Sequence, residues 1–284
     1  CNAECRLRTS PHPQQAPGIA DHTTTGRPLG VRDRRRLGTV LATVVALAGA
    51  DDGVCLVVAD TAARRELLAG VLEPTRMGVA AAALAGGRCE VAAMRERLDA
   101  LGRQPGLVMA DYASLVHIEL PERMHVVVVD PPCDAAQAAH LARHATGRWL
   151  HLVFGDEEVR FAGAIAEQHA DLRGGAARIW RALGTRAPLS LDELAALTDT
   201  PDGAVLDPQR LRGALAALEQ IGRVRIDAQG VHPVADAPTV PIAQAAAAVQ
   251  ATERLTLRRE FLTQVMTMDF AGGAVSFEEH VRTG

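Results

Sequence analysis

The stretch Val126-Val127-Val128-Val129-Asp130-Pro131-Pro132 determines how the chain is read. Four consecutive β-branched residues suit a strand buried on both faces, and the prolines after Asp130 lack the N–H groups that would continue a ladder. A strand of that kind belongs to a parallel sheet with helices on both sides, so helical periods are expected around it. Downstream, Ala135–His144 reads as a helix, Trp149–Phe154 as a strand and Asp156–Ala170 as a long helix. Upstream, Val54-Cys55-Leu56-Val57-Val58 is a second buried strand, after which Asp60 or Thr61 caps a helix running to about Leu72. Weaker signals place a strand at Gly78–Leu84, a helix at Val91–Leu101, a short strand at Leu107-Val108-Met109 and a helix from Asp111. A helix from Asp33 through Leu37, Val40, Leu41, Val44, Val45 and Leu47 precedes them all and puts Arg34-Arg35-Arg36 in its first turn. The expected fold is α/β: a Rossmann-like or helicase-lobe-like parallel sheet over about residues 31–170, with right-handed crossovers.

The pattern changes after Asp171. A helix at Ala176–Leu183 is followed by Leu189-Ser190-Leu191-Asp192-Glu193-Leu194, in which Ser190 and Glu193 have capping-box spacing. A helix at Pro208–Ile221, a strand at Gly222–Ile226, a turn at Ala228-Gln229-Gly230 and Val231-His232-Pro233 come next. That order, over 171–240, predicts a small winged-helix-like domain. Residues 241–284 are expected to hold a terminal helix, from about Ile242 to Met266, and a loose tail. At the other end, residues 1–30 read as a strand remnant around Glu4–Arg8 and a linker carrying Pro11, Pro13, Pro17 and Pro28.

The chain has 284 residues, 48% hydrophobic and 23% charged, which is a globular composition with room for two modest domains. All thirty basic residues are arginine. A phosphate-binding loop of the Walker A type needs a lysine to reach the β- and γ-phosphates, so an ordinary P-loop NTPase is excluded. The net charge of −4 is uneven, since residues 1–50 carry about +4 and leave about −8 for the remainder. Wholesale wrapping of nucleic acid is therefore not expected, although a local basic strip can face it. The five cysteines (Cys1, Cys5, Cys55, Cys89, Cys133) show neither disulfide-framework nor zinc-site spacing. No apolar run approaches the roughly 18 residues of a membrane helix, and the N-terminus has no signal-peptide order, so a cytoplasmic location is expected. The chain starts with Cys1 in place of Met, which suggests a fragment.

An ordered series of segments resembles the C-terminal region of bacterial single-stranded-DNA-specific exonucleases of the RecJ family, actinobacterial type. The series comprises Arg32-Asp33-Arg34-Arg35-Arg36 and the strand Val54–Val58 with Ala59-Asp60-Thr61-Ala62-Ala63-Arg64-Arg65. It continues through Val129-Asp130-Pro131-Pro132, His151–Phe161, Asp171-Leu172-Arg173, the winged-helix-like region and Arg258-Arg259-Glu260-Phe261-Leu262. The resemblance spans roughly residues 31–262, and its weight lies in the order of the series, since no single motif is diagnostic. It implies the non-catalytic end of a 5′-to-3′ exonuclease of recombination and repair, whose manganese or magnesium is held in an upstream DHH core. The implied partners are single-stranded DNA, the single-strand-binding protein and the upstream catalytic domains. The family's metal motifs are absent: Asp21-His22 runs into Thr23 and there is no glycine-rich GGGH segment. No catalytic residue and no cofactor is therefore carried over to this chain.

Several residues invite sharper readings. Asp130 ends a strand where helicases place a magnesium-holding acid, but without lysine it reads as the cap of the next turn, and Asp60 is read likewise. His140 and His144 have the i, i+4 spacing of zinc-binding helices but no accompanying glutamate, so they and His151 read as surface or half-buried residues. Trp149 and Trp180 read as core. The helix bearing Arg210 and Arg212 also carries Glu219 and follows Asp207, so it lacks a basic recognition face. Candidate nucleic-acid contacts are Arg32, Arg34, Arg35 and Arg36, with Arg223 and Arg225 in the hairpin. The rival readings are a free-standing helicase-like regulatory or DNA-binding module without ATPase activity, and a small-molecule enzyme using the carboxyl edge of the sheet.

Overall fold

A computed structural model describes residues 30–35, 40–48, 53–68, 80–84, 91–101, 106–121, 124–184, 188–190, 193–194, 208–236, 239–268 and 270. The expected strand remnant and most of the linker, Cys1, Cys5, Cys89, Arg36, Asp207 and the tail beyond Phe270 lie outside these residues.

The chain begins with β1 (Gly30–Asp33), α1 (Val40–Ala48), β2 (Val54–Val58), α2 (Thr61–Leu68) and β3 (Ala80–Leu84). Next come α3 (Val91–Leu101), β4 (Gly106–Asp111), α4 (Tyr112–Leu115), β5 (His125–Val128), α5 (Ala135–Ala145), β6 (Trp149–Leu152) and α6 (Asp156–Ala170). The fold is α/β. Strands β2 to β6 form the body of a parallel sheet and β1 adds to one edge, giving the order β1-β6-β5-β2-β4-β3.

The apolar runs occupy both faces of this sheet, as all-parallel pairing requires. Cys55, Val57, Val108, Ala110, Val126 and Val128 face Met94 and Leu98 of α3 and Ala138 and Leu141 of α5. The alternate residues Val54, Leu56, Val58, Leu107, Met109 and Val127 face Val44 of α1.

The start of this domain corrects the sequence reading. Arg32 lies in a strand, paired with His151 of β6, and the Arg34 amide continues the ladder to the Leu152 carbonyl at 2.8 Å. Arg34 and Arg35 therefore do not lie in the first turn of a helix.

A second apolar cluster gathers Leu172, Ala176, Ile179 and Leu183 of α7 (Leu172–Leu183) with Leu189, Leu194 and Leu211, Leu215 and Leu218 of α8 (Pro208–Gln220). Val224 of β7 (Val224–Asp227) and Val231 of β8 (Gly230–Pro233) complete it. These strands form an antiparallel hairpin, which Leu189 joins by bridging Val231. Gly230 has φ of +132°, and a Cβ there would meet the Leu189 carbonyl oxygen at 2.5 Å, so the turn needs glycine. The Ser190–Glu193 capping box forms as expected: the Ser190 amide donates to the Glu193 carboxylate, and the Glu193 amide donates to the Ser190 hydroxyl. Finally α9 (Ala246–Val265) places Ala251 in this cluster and Phe261, Leu262 and Val265 in that of the sheet. No helix among the described residues is long and apolar enough to cross a membrane.

Candidate functional site

In an open parallel sheet the ligand crevice lies at the carboxyl ends of adjacent strands whose connections leave in opposite directions. Here those strands are β2 and β5: the chain leaves β2 toward β4 and β3, and leaves β5 toward β6. The crevice is therefore lined by the residues after Val58 and Val128.

Its centre is filled by the protein itself. The Asp130 carboxylate, fully buried, accepts from the Ala59 amide at 2.9 Å and from Arg64 Nε at 2.8 Å. Arg64 Nη2 donates to the other carboxylate oxygen. Burial pushes the Asp130 carboxyl upward, while Arg64 and the Ala59 amide pull it back toward the ionised form. With a bidentate guanidinium and a backbone N–H on it, we assign a paired carboxylate. This corrects the reading of Asp130 as the cap of the next turn. The guanidinium carbon lies 3.9 Å from the ring centre of Phe161 on α6.

The helix after β2 opens at the place where a P-loop helix would receive phosphate. Its first-turn amides, Ala62 and Ala63, instead donate to the Asp60 carboxylate at 2.8 and 2.9 Å. Neighbouring strand ends are also satisfied internally. The Thr61 and Ser114 hydroxyls both donate to the Leu84 carbonyl at 2.9 Å, and the Tyr112 hydroxyl donates to the Asp130 carbonyl at 2.8 Å. Helix α6 crosses above them: Phe161 sits on Arg64, and His169, eight residues on, lies 4.0 Å from Asp60. Eight residues of helix span about 12 Å, enough to roof the crevice.

The candidate arginines separate into different roles. Arg32 is exposed, with its guanidinium 4.8 Å from the ring centre of Trp149, and Arg34 is exposed next to it. Arg35 is tied into the fold: its Nε donates to Asp33 at 2.9 Å, its Nη1 to the Val265 carbonyl at 2.9 Å, and it lies over Phe154 and Phe270. On the hairpin, Arg225 is exposed and 3.3 Å from Asp227, while Arg223 lies 5.6 Å from the ring centre of Trp180. Two aromatic assignments change. Trp180 is 37% exposed rather than core, and Trp149 is half-buried under Gly30, where a Cβ would collide with its ring at 2.1 Å. Arg210 is buried, its Nη2 donating to the Asp171 carboxylate at 2.5 Å and its Nε to the Asp171 carbonyl.

Of the three histidines read as surface or half-buried, two, His144 and His151, are buried. His144 is buried and donates from Nε2 to the Leu115 carbonyl at 2.5 Å, and His140 is half-buried. His151 stands 2.9 Å from His125, ring nitrogen to ring nitrogen, and burial with the His125 ring beside it lowers its pKa to about 4. Cys55 and Cys133 are buried thiols pushed up to about 12 by desolvation, which makes them poor nucleophiles. Among the described residues no group of three or more His, Cys, Asp or Glu is placed to hold a metal ion. No family model matches the chain, and no curated protein matches it.

Proposed function

We propose that this chain is the non-catalytic C-terminal part of a RecJ-type 5′-to-3′ single-stranded-DNA exonuclease, positioning DNA or recruiting the single-strand-binding protein. The observation that carries the reading is the filled crevice: Asp130, Arg64 and Phe161 occupy the place where a sheet of this topology would take a phosphate or a substrate. An α/β domain so closed serves as a scaffold, and its function moves to its surfaces. The ordered series of segments from Arg32 to Leu262 supports the family, and the two helices and hairpin after Asp171 have the order of a winged helix. Manganese or magnesium then belongs to upstream catalytic domains, and the exposed Arg32, Arg34 and Arg225 with the half-buried Arg223 are the candidate phosphate contacts among the described residues of the predicted set.

The test is fluorescence anisotropy of a labelled single strand with the chain, in manganese and across a salt series, with strand length checked afterwards. Weak, sequence-indifferent binding to an intact strand is expected. Its log–log salt slope should lie near −2, because about three phosphate contacts contribute roughly −0.7 each. Shortening of the strand would contradict the reading. Absence of binding, with capture of the single-strand-binding protein, would leave only the partner-docking half of it.

A further inference from the structure

The outer face of α7 is unlike the rest of this acidic chain. The helix Leu172–Leu183 contains Arg173, Arg178 and Arg181 and no acidic residue. Its apolar stripe is complete without tryptophan, because Leu172, Ala176, Ile179 and Leu183 already fill the second cluster. Trp180 stands one step off that stripe and presents its ring to solvent. Arg173, two turns earlier, shares its exposed side about 10 Å away along the axis, and Arg181 is exposed next to it.

The hairpin adds the rest. Arg223, just before β7, approaches the Trp180 ring at 5.6 Å, and Arg225, with its side chain 70% exposed, projects from β7. Among the described residues, two acids lie near this group. Asp227 pairs with Arg225 at 3.3 Å and with His232 at 3.0 Å, and Glu219 is exposed near the end of α8. An exposed indole flanked by guanidinium groups is a chemical match for a nucleobase with its attached phosphates. The ring stacks on any base, and the arginines meet the backbone.

The geometry points to the Trp180–Arg223 surface, continued by Arg173, Arg181 and Arg225, as a stacking platform for single-stranded nucleic acid. This rests on the accessory reading above and names the surface on which the strand lies. Recognition is through base faces and phosphates, so it is independent of sequence.

The test uses the full chain and a thymidine homopolymer of about fifteen nucleotides, which suits the site size of such platforms. Tryptophan emission and anisotropy are followed together. Binding should quench the native emission, and in Trp180→Phe, whose remaining indole is Trp149, the quenching should disappear. Trp180→Ala should weaken binding about tenfold or more, with Trp180→Phe retaining most of the affinity. Arg223→Ala should weaken it and make the salt slope shallower by roughly 0.7. Circular dichroism of each variant checks that the fold is kept; Trp180→Phe, at an exposed position, and Arg223→Ala suffice for the test should Trp180→Ala unfold. Native-like affinity in Trp180→Ala, or quenching that persists in Trp180→Phe, overturns the platform and leaves the accessory reading intact. No binding by the native chain overturns the platform and the DNA-positioning half of that reading together.

Discussion

Truncating Arg64 would leave the Asp130 carboxylate buried with the Ala59 amide as its remaining partner at that crevice. Breaking a buried ion pair from one side costs about 3–5 kcal/mol, because the stranded charge has lost its counterion but not its burial. Arg64→Ala is therefore expected to lower the unfolding free energy by about that amount in urea titrations. Arg64→Met combined with Asp130→Asn should recover most of it, since neither charge is then stranded. Equal losses in the single and double variants would show that the pair is not what closes the crevice. At this scale the sequence showed half of the arrangement. Asp130 at the end of an apolar strand was legible, and a buried carboxylate in a chain without lysine calls for arginine. Which arginine was not legible, because Arg64 lies 66 positions away and reaches Asp130 only through the pairing of β2 with β5.

Elements with a strong apolar period were legible, and those without one were not. Helix α6 and strand β2 form over the expected residues, and α3 does so from a weaker signal. Strand β1 escaped because its four residues, Gly-Val-Arg-Asp, have no apolar alternation and take their place from the register with β6. Trp180 was misread as core because it adjoins Ile179, although a helical step of 100° carries it to the solvent side.

The same sheet edge makes the fold acid-sensitive. His151 on β6 meets His125 on β5 ring nitrogen to ring nitrogen, beside Arg32 and Arg34, and its Nδ1 is buried without a hydrogen-bond partner among the described residues. Its pKa of about 4 lies below the ordinary value of 6.5, so the unfolded chain binds its proton first. The resulting stability is complete above pH 6.5 and is lost as the pH falls through 6.5 toward 4. By pH 5 the loss is about 2 kcal/mol. Thermal melting at pH 7.5 and pH 5 should show a larger drop in Tm for the native chain than for His151→Gln. Identical drops would mean that this histidine is not held neutral.

For the whole molecule, α9 determines how the two apolar clusters are held together. Its first half packs through Ala251 against α7 and α8, and its second half packs through Phe261, Leu262 and Val265 against the sheet. Arg259 meets Glu167 of α6 at 2.7 Å, and Arg35 anchors the helix end through the Val265 carbonyl. The helix that roofs the crevice is thus braced from behind by the one that links the clusters. Opening the crevice to a nucleotide would require moving α6, displacing Phe161 from Arg64 and parting a buried ion pair. None of these costs is offset by a lysine for the phosphates, since the chain has none. Titration calorimetry of the full chain with ATP and magnesium measures this directly. The account predicts no saturable heat at any ratio of nucleotide to protein. A saturable, magnesium-dependent heat at micromolar ATP would contradict it, and would place a working phosphate site where Asp130 and Arg64 are described as filling the crevice.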